Sequence, residues 1–578
     1  MKASCNAALS RHAWEYGRER IWAGATVLAV GYGFTLALSR AWVTDDAFIS
    51  FRYADNLARG LGLVFNAGER VEGYTNFLWT VWCAVGIRLG ADVECWSIVW
   101  GLVFYAGSIL LLAVHQRRWR LGGTGSSSAL PIAALLAAVC RDWQIYATSG
   151  LETSLFTFLI IAGYVLLVEG EHCAAAAFVL SLAALTRPDG LIFAAMAGLY
   201  VLAIGRPFAR SVVSFGVPCL LILVPFEIWR LSYYGDWVPN TFYAKSVDLA
   251  WYSQGWLYIR LFFLKYWVFL LGLLLIGTVV WKRARGTHAC ASAHPRRDWQ
   301  RCALASAYAV VYTLCVMRVG GDFMYARVLI PSVPFFLIVL EYGLIELTAQ
   351  RPALQFIGAA MLCAALVLTP TPFKSVENIQ GIVDEWAWYT HEYTDELKAA
   401  GVILRRFFEG IPVSVAFFGS EARMVYYAKP AVAVESETGL TDRFVAHQKL
   451  SQRGRIGHEK GAPASYLIEQ RHVHFIFALN SLKALQFRET IPIVLIDFQG
   501  LKGLILHWDP EVLQRLKERG AVFPDFPSWL DQQISQLDRV PSDTVRQQYA
   551  MFKRFYFDYV PDMNRQRPFL ERLAVVGH

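Results

Sequence analysis

Long apolar runs alternate with short polar stretches over the first 370 residues, and this pattern predicts a polytopic α-helical membrane protein. Two further segments, 45–59 and 74–89, show apolar residues at helical spacing and are predicted to lie in the membrane interface or half-buried. The remaining runs predict about eleven transmembrane helices, at 21–40, 95–114, 129–145, 154–168, 173–185, 191–204, 211–231, 256–281, 302–317, 331–345 and 353–368.

The pattern changes to that of a soluble domain from residue 371 onward. Short runs rich in β-branched and aromatic residues predict strands, and longer polar–apolar segments predict helices, so we expect a small α/β domain. The helical, aromatic-rich stretch 528–557 is expected to pack this domain onto the membrane module. The predicted domains are therefore a transmembrane module, 1–370, and a soluble domain with a helical tail, 371–578. Strands are predicted at 413–418, 431–435, 473–477 and 493–497, and helices at 464–470 and 510–519.

Composition supports the membrane assignment. The 578 residues are 56% hydrophobic and 17% charged, whereas soluble domains carry about 25% charged residues. The net charge is +8, and the basic residues cluster in short loops between apolar runs. This placement is typical of residues that set the orientation of membrane spans, so no nucleic-acid partner is predicted. The ten cysteines lie mostly within or beside apolar runs without metal-ligand spacing, which is typical of buried thiols.

Basic loops fix the predicted orientation. The clusters at 117–128, 206–210 and 282–301 are expected to face the cytoplasm. If 74–89 crossed the membrane, the first of these clusters would face outward, so that segment is predicted not to span. The polar segments then all fall on the outer side of a bacterial cytoplasmic membrane, together with the C-terminal domain. These segments are 44–76, 148–152, 187–189, 236–245 and 320–327.

An acidic pair, Asp45 and Asp46, follows the first predicted span. A carboxylate at the membrane surface can accept the proton of an attacking hydroxyl where a lipid-borne and a water-borne substrate meet. Alternatively, the two acids occupy the first turn of an interfacial helix capped by Thr44. The residues alone leave both interpretations open.

Several motifs of this sequence, taken in their order along the chain, resemble those of the GT-C class of polyprenyl-phosphate-sugar glycosyltransferases. The resemblance is greatest to the actinobacterial terminal arabinofuranosyltransferases and related bacterial proteins. The motifs are TDDAFISFRYADNLARGLGLVFNAGERVEGYTNFLW (44–79), SGLETSLF (149–156), ALTRPDG (184–190), VPNTFYAK (238–245), GGDFMYARVLIP (320–331), GLTD (439–442) and GRIGHEK (454–460).

This resemblance implies an inverting transfer of a sugar from a polyprenyl-phosphate donor to a hydroxyl of a cell-envelope glycan or surface protein. Arabinofuranose is one candidate sugar, and related proteins leave the sugar open. The acidic pair would supply the catalytic base from Asp45 or Asp46. No cofactor is implied with certainty, and a divalent cation on the pair is an option because some related enzymes use one.

Three cations are candidates for binding the donor phosphate: Arg187, Arg327 and Lys245. Each lies near a predicted outer helix end, where Arg can bind phosphate through two nitrogens and Lys as a point charge. The alternative is a cation that snorkels or pairs with an acid. Glu152 and Asp189 are the acids expected to brace these cations.

Five further residues are candidates for binding sugar or acceptor: Arg52, Glu72, Tyr74, Asn76 and Asp322. Arg52 is expected to brace the acidic pair in preference to the donor. An interfacial aromatic belt explains Tyr74 equally well. Asp322 follows two glycines, so acceptor hydrogen bonding and stabilisation of a turn are both open for it.

Two other function classes compete with the enzyme. A transporter or flippase of lipid-linked sugars would span the same membrane, but such proteins commonly show inverted repeats and mid-membrane charges. This sequence shows no internal repeat, and its predicted outer loops collect the charges. A non-catalytic membrane protein that binds glycans is the other alternative.

Overall fold

A computed structural model describes residues 2–121, 130–170, 172–285, 295–348, 351–418, 421–450, 453–477 and 486–574. The chain forms two compact units. Unit 1 comprises Met1–Ala47, Thr75–Trp237 and Val247–Tyr389, and unit 2 comprises Phe48–Tyr74, Val238–Ser246 and Thr390–His578. Two stretches that the sequence assigned to the transmembrane module, Phe48–Tyr74 and Val238–Ser246, therefore fold with the C-terminal unit.

Unit 1 is helical. A short hairpin, β1 (Asn378–Ile379) and β2 (Ile382–Val383), accompanies the helices, and a 3-10 turn covers Arg327–Ser332. The helices are Lys2–Ser39, Phe77–Arg88, Val93–Leu121, Ile132–Ala138, Arg141–Ala147, Thr153–Gly170, Cys173–Thr186, Gly190–Ile204, Phe208–Tyr234, Tyr252–Lys265, Val268–Ala284, Pro295–Val319, Val333–Leu347, Pro352–Leu368 and Glu385–Trp388.

Unit 1 makes the chain a multi-pass membrane protein. Six helical stretches in the described part are long and apolar enough to cross a bilayer. Large apolar side chains such as Leu220, Leu221 and Ile228 are exposed on one of them, as expected where lipid is the solvent. The six are Tyr16–Ser39, Val93–Arg118, Thr153–Gly170, Phe208–Tyr234, Arg297–Val319 and Arg327–Leu347.

Two of the predicted spans are broken. The segment predicted at 129–145, described from residue 130, forms two seven-residue helices, Ile132–Ala138 and Arg141–Ala147. The segment predicted at 256–281 forms Tyr252–Lys265 and Val268–Lys282, which meet at 87°. A hydropathy pattern records apolar length and does not detect such breaks, so these two predicted spans are not continuous helices. Parts of the basic loops predicted at 117–128 and 282–301 lie outside the described residues.

The two segments that were predicted not to span both form helices. Phe77–Arg88 has 12 residues and is about 18 Å long, which is shorter than the roughly 30 Å hydrocarbon core. Asp46–Ala58 is the second helix. Its apolar residues Phe48 and Phe51 are buried against Tyr426 within unit 2, with ring centroids 5.5 and 6.4 Å apart. Protein therefore covers this apolar face, which corrects the expectation that it lies on the membrane.

Unit 2 contains a five-stranded mixed sheet with the strand order β4-β3-β5-β7-β6. β3 runs parallel to β4 and β5, and β7 runs antiparallel to β5 and β6. The four predicted strands are present, and β7 is additional. A tight turn at Gln499 and Gly500, both at positive φ, joins β6 to β7 as a hairpin. The strands are β3 (Ser414–Phe417), β4 (Val432–Glu435), β5 (Phe475–Ile476), β6 (Leu495–Phe498) and β7 (Leu501–Ile505).

Aromatic residues of the C-terminal helices pack inside unit 2. The ring of Phe526 lies 4.8 Å from Phe555, 6.0 Å from Phe552 and 5.7 Å from Trp508. This cluster accounts for the aromatic pattern that was expected to dock the domain onto the membrane module. The helical segments of unit 2 after residue 389 are His391–Phe408, Ala422–Ala428, Arg443–Ala446, Tyr466–Gln470, Pro510–Glu518, Phe526–Ile534, Leu537–Arg539, Ser542–Phe552, Lys553–Phe557 and Met563–Ala574.

Candidate active site

The acidic pair lies where the chain leaves the first helix of unit 1. The backbone N–H of Thr44 donates to the carbonyl of Ser149 at 3.0 Å, which holds the segment beside the SGLETSLF motif. Asp45 is only 4% exposed, whereas Asp46 is half-buried and begins a helix. The Thr44 hydroxyl makes no hydrogen bond within the described residues, so the expected side-chain cap is not formed.

A continuous chain of polar contacts crosses the SGLETSLF and ALTRPDG motifs. The Asn76 amide donates to Glu152 at 2.9 Å, and Arg187 Nη1 donates to the other oxygen of Glu152 at 3.0 Å. Arg187 Nε and Nη2 donate to Asp189 at 3.0 and 2.9 Å, and Tyr312 donates to Asp189 at 2.7 Å. The two acids therefore brace Arg187, as expected. Tyr312 was missed because it lies within an apolar helix without any motif.

A second ion pair lies in the GGDFMYARVLIP motif. Asp322 Oδ2 accepts from Arg327 Nε at 2.6 Å and pairs with Nη2 at 2.5 Å, and both residues are buried. Asp322 Oδ1 accepts from the N–H of Phe323 at 3.0 Å. Asp322 therefore stabilises the turn and fixes the guanidinium. Among the described residues, Arg327 Nη1 has no hydrogen-bond partner, so it remains available as a donor.

Electrostatic interactions join these groups in unit 1. The positive charge of Arg327 is attracted by Asp322, by Asp46 and, less strongly, by Glu152, and it is repelled by Arg187. Burial acts to lower the pKa of the Arg187 guanidinium, but Asp189, Tyr312 and Glu152 outweigh it, and the net pKa is raised. Unit 1 thus brings together Asp46, two permanently charged arginines and their carboxylate partners.

Glycine shapes the turn before Asp322. Gly320 and Gly321 have φ angles of 93° and 78°, a region that side chains with a Cβ rarely adopt. A Cβ on Gly321 would lie 2.4 Å from the ring of Tyr258. The Tyr258 hydroxyl donates to the carbonyl of Met324 at 2.8 Å, so this ring cannot move without loss of a contact that holds the loop.

We expect Gly321→Ala to destabilise unit 1 by about 2 kcal/mol or more, because it combines a positive φ with a steric overlap. The melting temperature of the purified protein in detergent should fall. Gly277→Ala is the matched control, since a Cβ there meets nothing within 4 Å and the glycine lies within a helix. Equal melting temperatures for the two variants would contradict this account of the turn.

Four of the candidates from sequence lie in unit 2: Arg52, Glu72, Tyr74 and Lys245. Arg52 donates to the carbonyls of Phe65 at 2.8 Å and Pro430 at 3.0 Å, and burial lowers its pKa to about 10. The guanidinium therefore supports the packing of unit 2 instead of bracing the acidic pair.

Of the other three candidates, two are buried and one is half-buried. Tyr74 is buried with its ring 4.9 Å from that of Tyr53 in an edge-on arrangement, so it does not belong to an interfacial belt. Glu72 is buried, and its carbonyl accepts from the N–H of Asn240 at 2.9 Å. Lys245 is half-buried and follows the short helix Asn240–Ala244.

A histidine cluster in unit 2 was not found from sequence. In the described chain, His474, His507 and Asp509 place one potential metal-ligand atom each within 4.8 Å of one another. His474 Nδ1 accepts from the N–H of Ser414 at 3.0 Å, so its Nε2 carries the proton that faces Asp509 at 3.4 Å. His507 Nδ1 donates to the carbonyl of Val473 at 3.0 Å. Hydrogen bonds thus satisfy the cluster, and a metal would require His474 to lose that proton.

His507 is held neutral by its surroundings. Burial lowers its pKa to about 3, and the neighbouring His474 and His472 act in the same direction, while Asp509 acts in the opposite one. The ring stacks on Tyr559 with centroids 4.1 Å apart. The unfolded chain takes up a proton on this residue near pH 6.5, so its contribution to stability is full above pH 6.5 and is lost as the pH falls towards 3.

Lowering the pH from 7.5 to 5.5 should therefore destabilise unit 2 by about 1 kcal/mol through His507. Hydrogen exchange of the amides in β5 and β7 measures this loss. His507→Asn should reduce the pH dependence, whereas His391→Asn, on an exposed helix start, should keep it. An unchanged pH dependence in the His507 variant would contradict the assignment.

The fold has a counterpart among solved structures. The apo crystal structure of ArnT from Cupriavidus metallidurans superposes with a TM-score of 0.52 at 13% identity, covering 84% of this chain and 98% of that chain. The structure of the same protein bound to undecaprenyl phosphate gives a TM-score of 0.49 at 12% identity, over 84% and 97%. At this identity the likeness concerns the fold alone, and the chain has a GT-C-like fold.

Sequence comparison gives a more specific relationship. The chain is 30% identical over 418 residues to the terminal β-(1→2)-arabinofuranosyltransferase of Corynebacterium glutamicum, covering 64% of this chain and 59% of that protein. It is 31% identical over 369 residues to the Mycobacterium tuberculosis protein of the same name, over 57% and 56%. The resemblance seen in the motifs is thus confirmed, although the chain spans less than two thirds of the length of these relatives. No family model matches the chain.

Proposed function

We propose that this protein is an inverting membrane glycosyltransferase that takes a sugar from a polyprenyl-phosphate donor. The acceptor is a hydroxyl of a cell-envelope glycan or surface protein on the outer face of the cytoplasmic membrane. One observation carries the proposal: unit 1 gathers Asp46, Arg187 and Arg327 in a membrane protein with a GT-C-like fold. The basic loops support the orientation, and the sequence relatives support the reaction class.

Asp46 is the catalytic base in this proposal. It is half-buried, so an acceptor hydroxyl can reach it, and its charge interacts with Arg327. The acceptor oxygen attacks the anomeric carbon and gives its proton to the Asp46 carboxylate. The bond between that carbon and the phosphate oxygen breaks on the opposite face, and polyprenyl phosphate leaves with the electron pair. Asp45, which is almost fully buried, supports its neighbour.

The arginines stabilise the leaving phosphate. Arg327 keeps Nη1 as a donor while Asp322 fixes its other two nitrogens. Each nitrogen of Arg187 already bonds to Glu152 or Asp189, so Arg187 contributes mainly its charge. Preformed cations aimed at developing negative charge are a large source of catalysis. Lys245 lies in unit 2 and is not part of this proposed cluster.

Arabinofuranose is the sugar that we propose, because the curated relatives are named terminal β-(1→2)-arabinofuranosyltransferases. A lipid-linked donor suits an active site outside the cell, where nucleotide sugars are not supplied. Among the sequence candidates, Asn76 belongs to the unit 1 cluster through Glu152 and is proposed to orient the sugar.

The experiment is transfer by purified protein in detergent, with polyprenyl-phospho-arabinofuranose as donor and a short arabinofuranose oligosaccharide as acceptor. The expected products are an oligosaccharide longer by one sugar and an equal amount of polyprenyl phosphate. Detergent leaves no compartments, so a flippase would give no product. An intact donor after prolonged incubation would contradict the proposal and favour the transporter or glycan-binding alternative.

A further inference from the structure

Unit 2 contains a cavity of about 540 Å³ that the proposed chemistry does not use. Its volume is in the range of small-molecule sites, roughly 300–1,000 Å³. Three parts of unit 2 line it: the first polar segment at Glu69, the GLTD motif at Thr441 and Asp442, and the region of Tyr466 and Arg471. These parts are far apart in sequence, so folding of unit 2 builds the cavity.

The cavity contains an aromatic platform. The rings of Phe444 and Tyr466 stack with centroids 4.2 Å apart and planes 17° apart. Phe444 is 47% exposed although it lies beside buried residues. An exposed ring on a rigid stack offers the flat apolar surface on which the C–H face of a sugar packs. Since Tyr466 also donates to both oxygens of Asp442 at 2.9 and 2.8 Å, the platform is fixed.

Planar polar groups surround this platform. Arg471 Nη2 donates to Glu69 at 2.8 and 2.9 Å, and its Nε lies 3.6 Å from Asp442. The two carboxylates thus share the guanidinium of Arg471, and Arg70 and Arg443 also line the cavity. Carboxylate acceptors and a guanidinium donor that are held side by side can hydrogen-bond to neighbouring hydroxyls of a neutral sugar.

A buried hydroxyl supplies a separate indication of a ligand. Thr441 is 3% exposed, and its hydroxyl makes no hydrogen bond within the described residues. Buried polar groups are normally paired. The loop that carries it is itself well fixed, because the Asn240 amide donates to the carbonyls of Gly439 and Leu440 at 2.9 and 2.8 Å.

We infer that this cavity binds a neutral glycan, and that the glycan is the acceptor chain of the transfer reaction. This inference rests on the proposed function for the identity of the glycan as acceptor. Phe444 is then a binding residue that packs on a sugar ring, and Thr441 hydrogen-bonds to a hydroxyl of the chain. The cavity contributes affinity and takes no part in the bond changes.

The test measures binding and transfer with the full chain in detergent, with a short arabinofuranose oligosaccharide as the probe. Phe444→Ala should raise the dissociation constant and the acceptor KM about tenfold or more, because loss of a stacking anchor typically has this effect. The kcat at saturating acceptor and the donor KM should stay near wild type. Thr441→Val, which keeps the shape, should weaken binding in the same direction. Tyr393→Ala, at a 36% exposed residue outside the cavity, should change nothing.

The outcomes separate this inference from the proposed function. Wild-type transfer with an unchanged acceptor KM in both Phe444→Ala and Thr441→Val overturns the glycan site and leaves the enzyme intact. Binding that depends on Phe444 without any transfer supports the glycan site and overturns the enzyme. Equal losses in the Tyr393 control, or no binding of the probe by the wild type, would also overturn the inference.

Discussion

Replacing Asp46 by Asn should lower the rate of sugar transfer by at least about 100-fold, because positioned general bases contribute factors of 10²–10⁴. The amide has the same shape as the carboxylate but cannot take the proton of the acceptor hydroxyl. Asp46 is half-buried at a helix start, so the variant should fold. Initial rates at saturating donor and acceptor, together with the melting temperature, measure the effect.

Two control variants make this result specific. Asp248→Asn removes an exposed acid from another loop of unit 1 and should leave the rate unchanged. Asp45→Asn alters the buried member of the pair and should reduce the rate less than Asp46→Asn does. A full loss with Asp45→Asn and near-normal transfer with Asp46→Asn would move the base to Asp45. Normal transfer in both would remove the pair from the chemistry.

Replacing Arg327 by Lys should lower kcat/KM for the donor by about 10²–10³, the loss typical when one donor to a developing oxyanion is removed. Lysine keeps the charge but cannot hold Asp322 through two nitrogens and present a third to phosphate. The loss should appear mainly in the donor parameters, and the acceptor KM should change little.

An exposed arginine of the same unit provides the control. Arg318→Lys, at the end of the helix Pro295–Val319, should leave donor kinetics and the melting temperature unchanged. Asp322→Asn should weaken donor binding as well, because it releases the guanidinium of Arg327. If Arg327→Lys lowered only the melting temperature and kept the donor kinetics, the ion pair would be structural and the phosphate site would lie elsewhere.

Much of the fold could be predicted because lipid imposes long apolar helices on a chain that crosses it. Thr153–Gly170 and Phe208–Tyr234 lie where the apolar runs indicated. The breaks after Ala138 and Lys265 could not be predicted, since they depend on partners distant in sequence. One example is Tyr105, whose hydroxyl donates to the carbonyl of Ala137 at 3.1 Å. The helix Asp46–Ala58 shows a related limit, because apolar periodicity does not distinguish a lipid from a protein surface.

The candidate site was partly visible in the sequence. Arg187 and Arg327 stood out because cations beside acids at predicted helix ends are unusual in a membrane protein. Asp189 was expected to brace a cation, whereas the pairing of Asp322 with Arg327 was not predicted, although both residues lie in one motif. Tyr312 could not be found, since it lies within an apolar helix. The role of Arg52 was also hidden, because it depends on backbone carbonyls that only folding brings near.

The most direct test of the transferase account is a single-turnover experiment with labelled polyprenyl-phospho-arabinofuranose, excess protein in detergent and an oligosaccharide acceptor. Wild-type protein should convert the donor to polyprenyl phosphate and elongated oligosaccharide in equal amounts. Asp46→Asn should bind the donor with wild-type affinity yet leave it intact. Elongation by the Asp45→Asn/Asp46→Asn double variant at the wild-type rate, or no conversion by the wild type, would contradict the account.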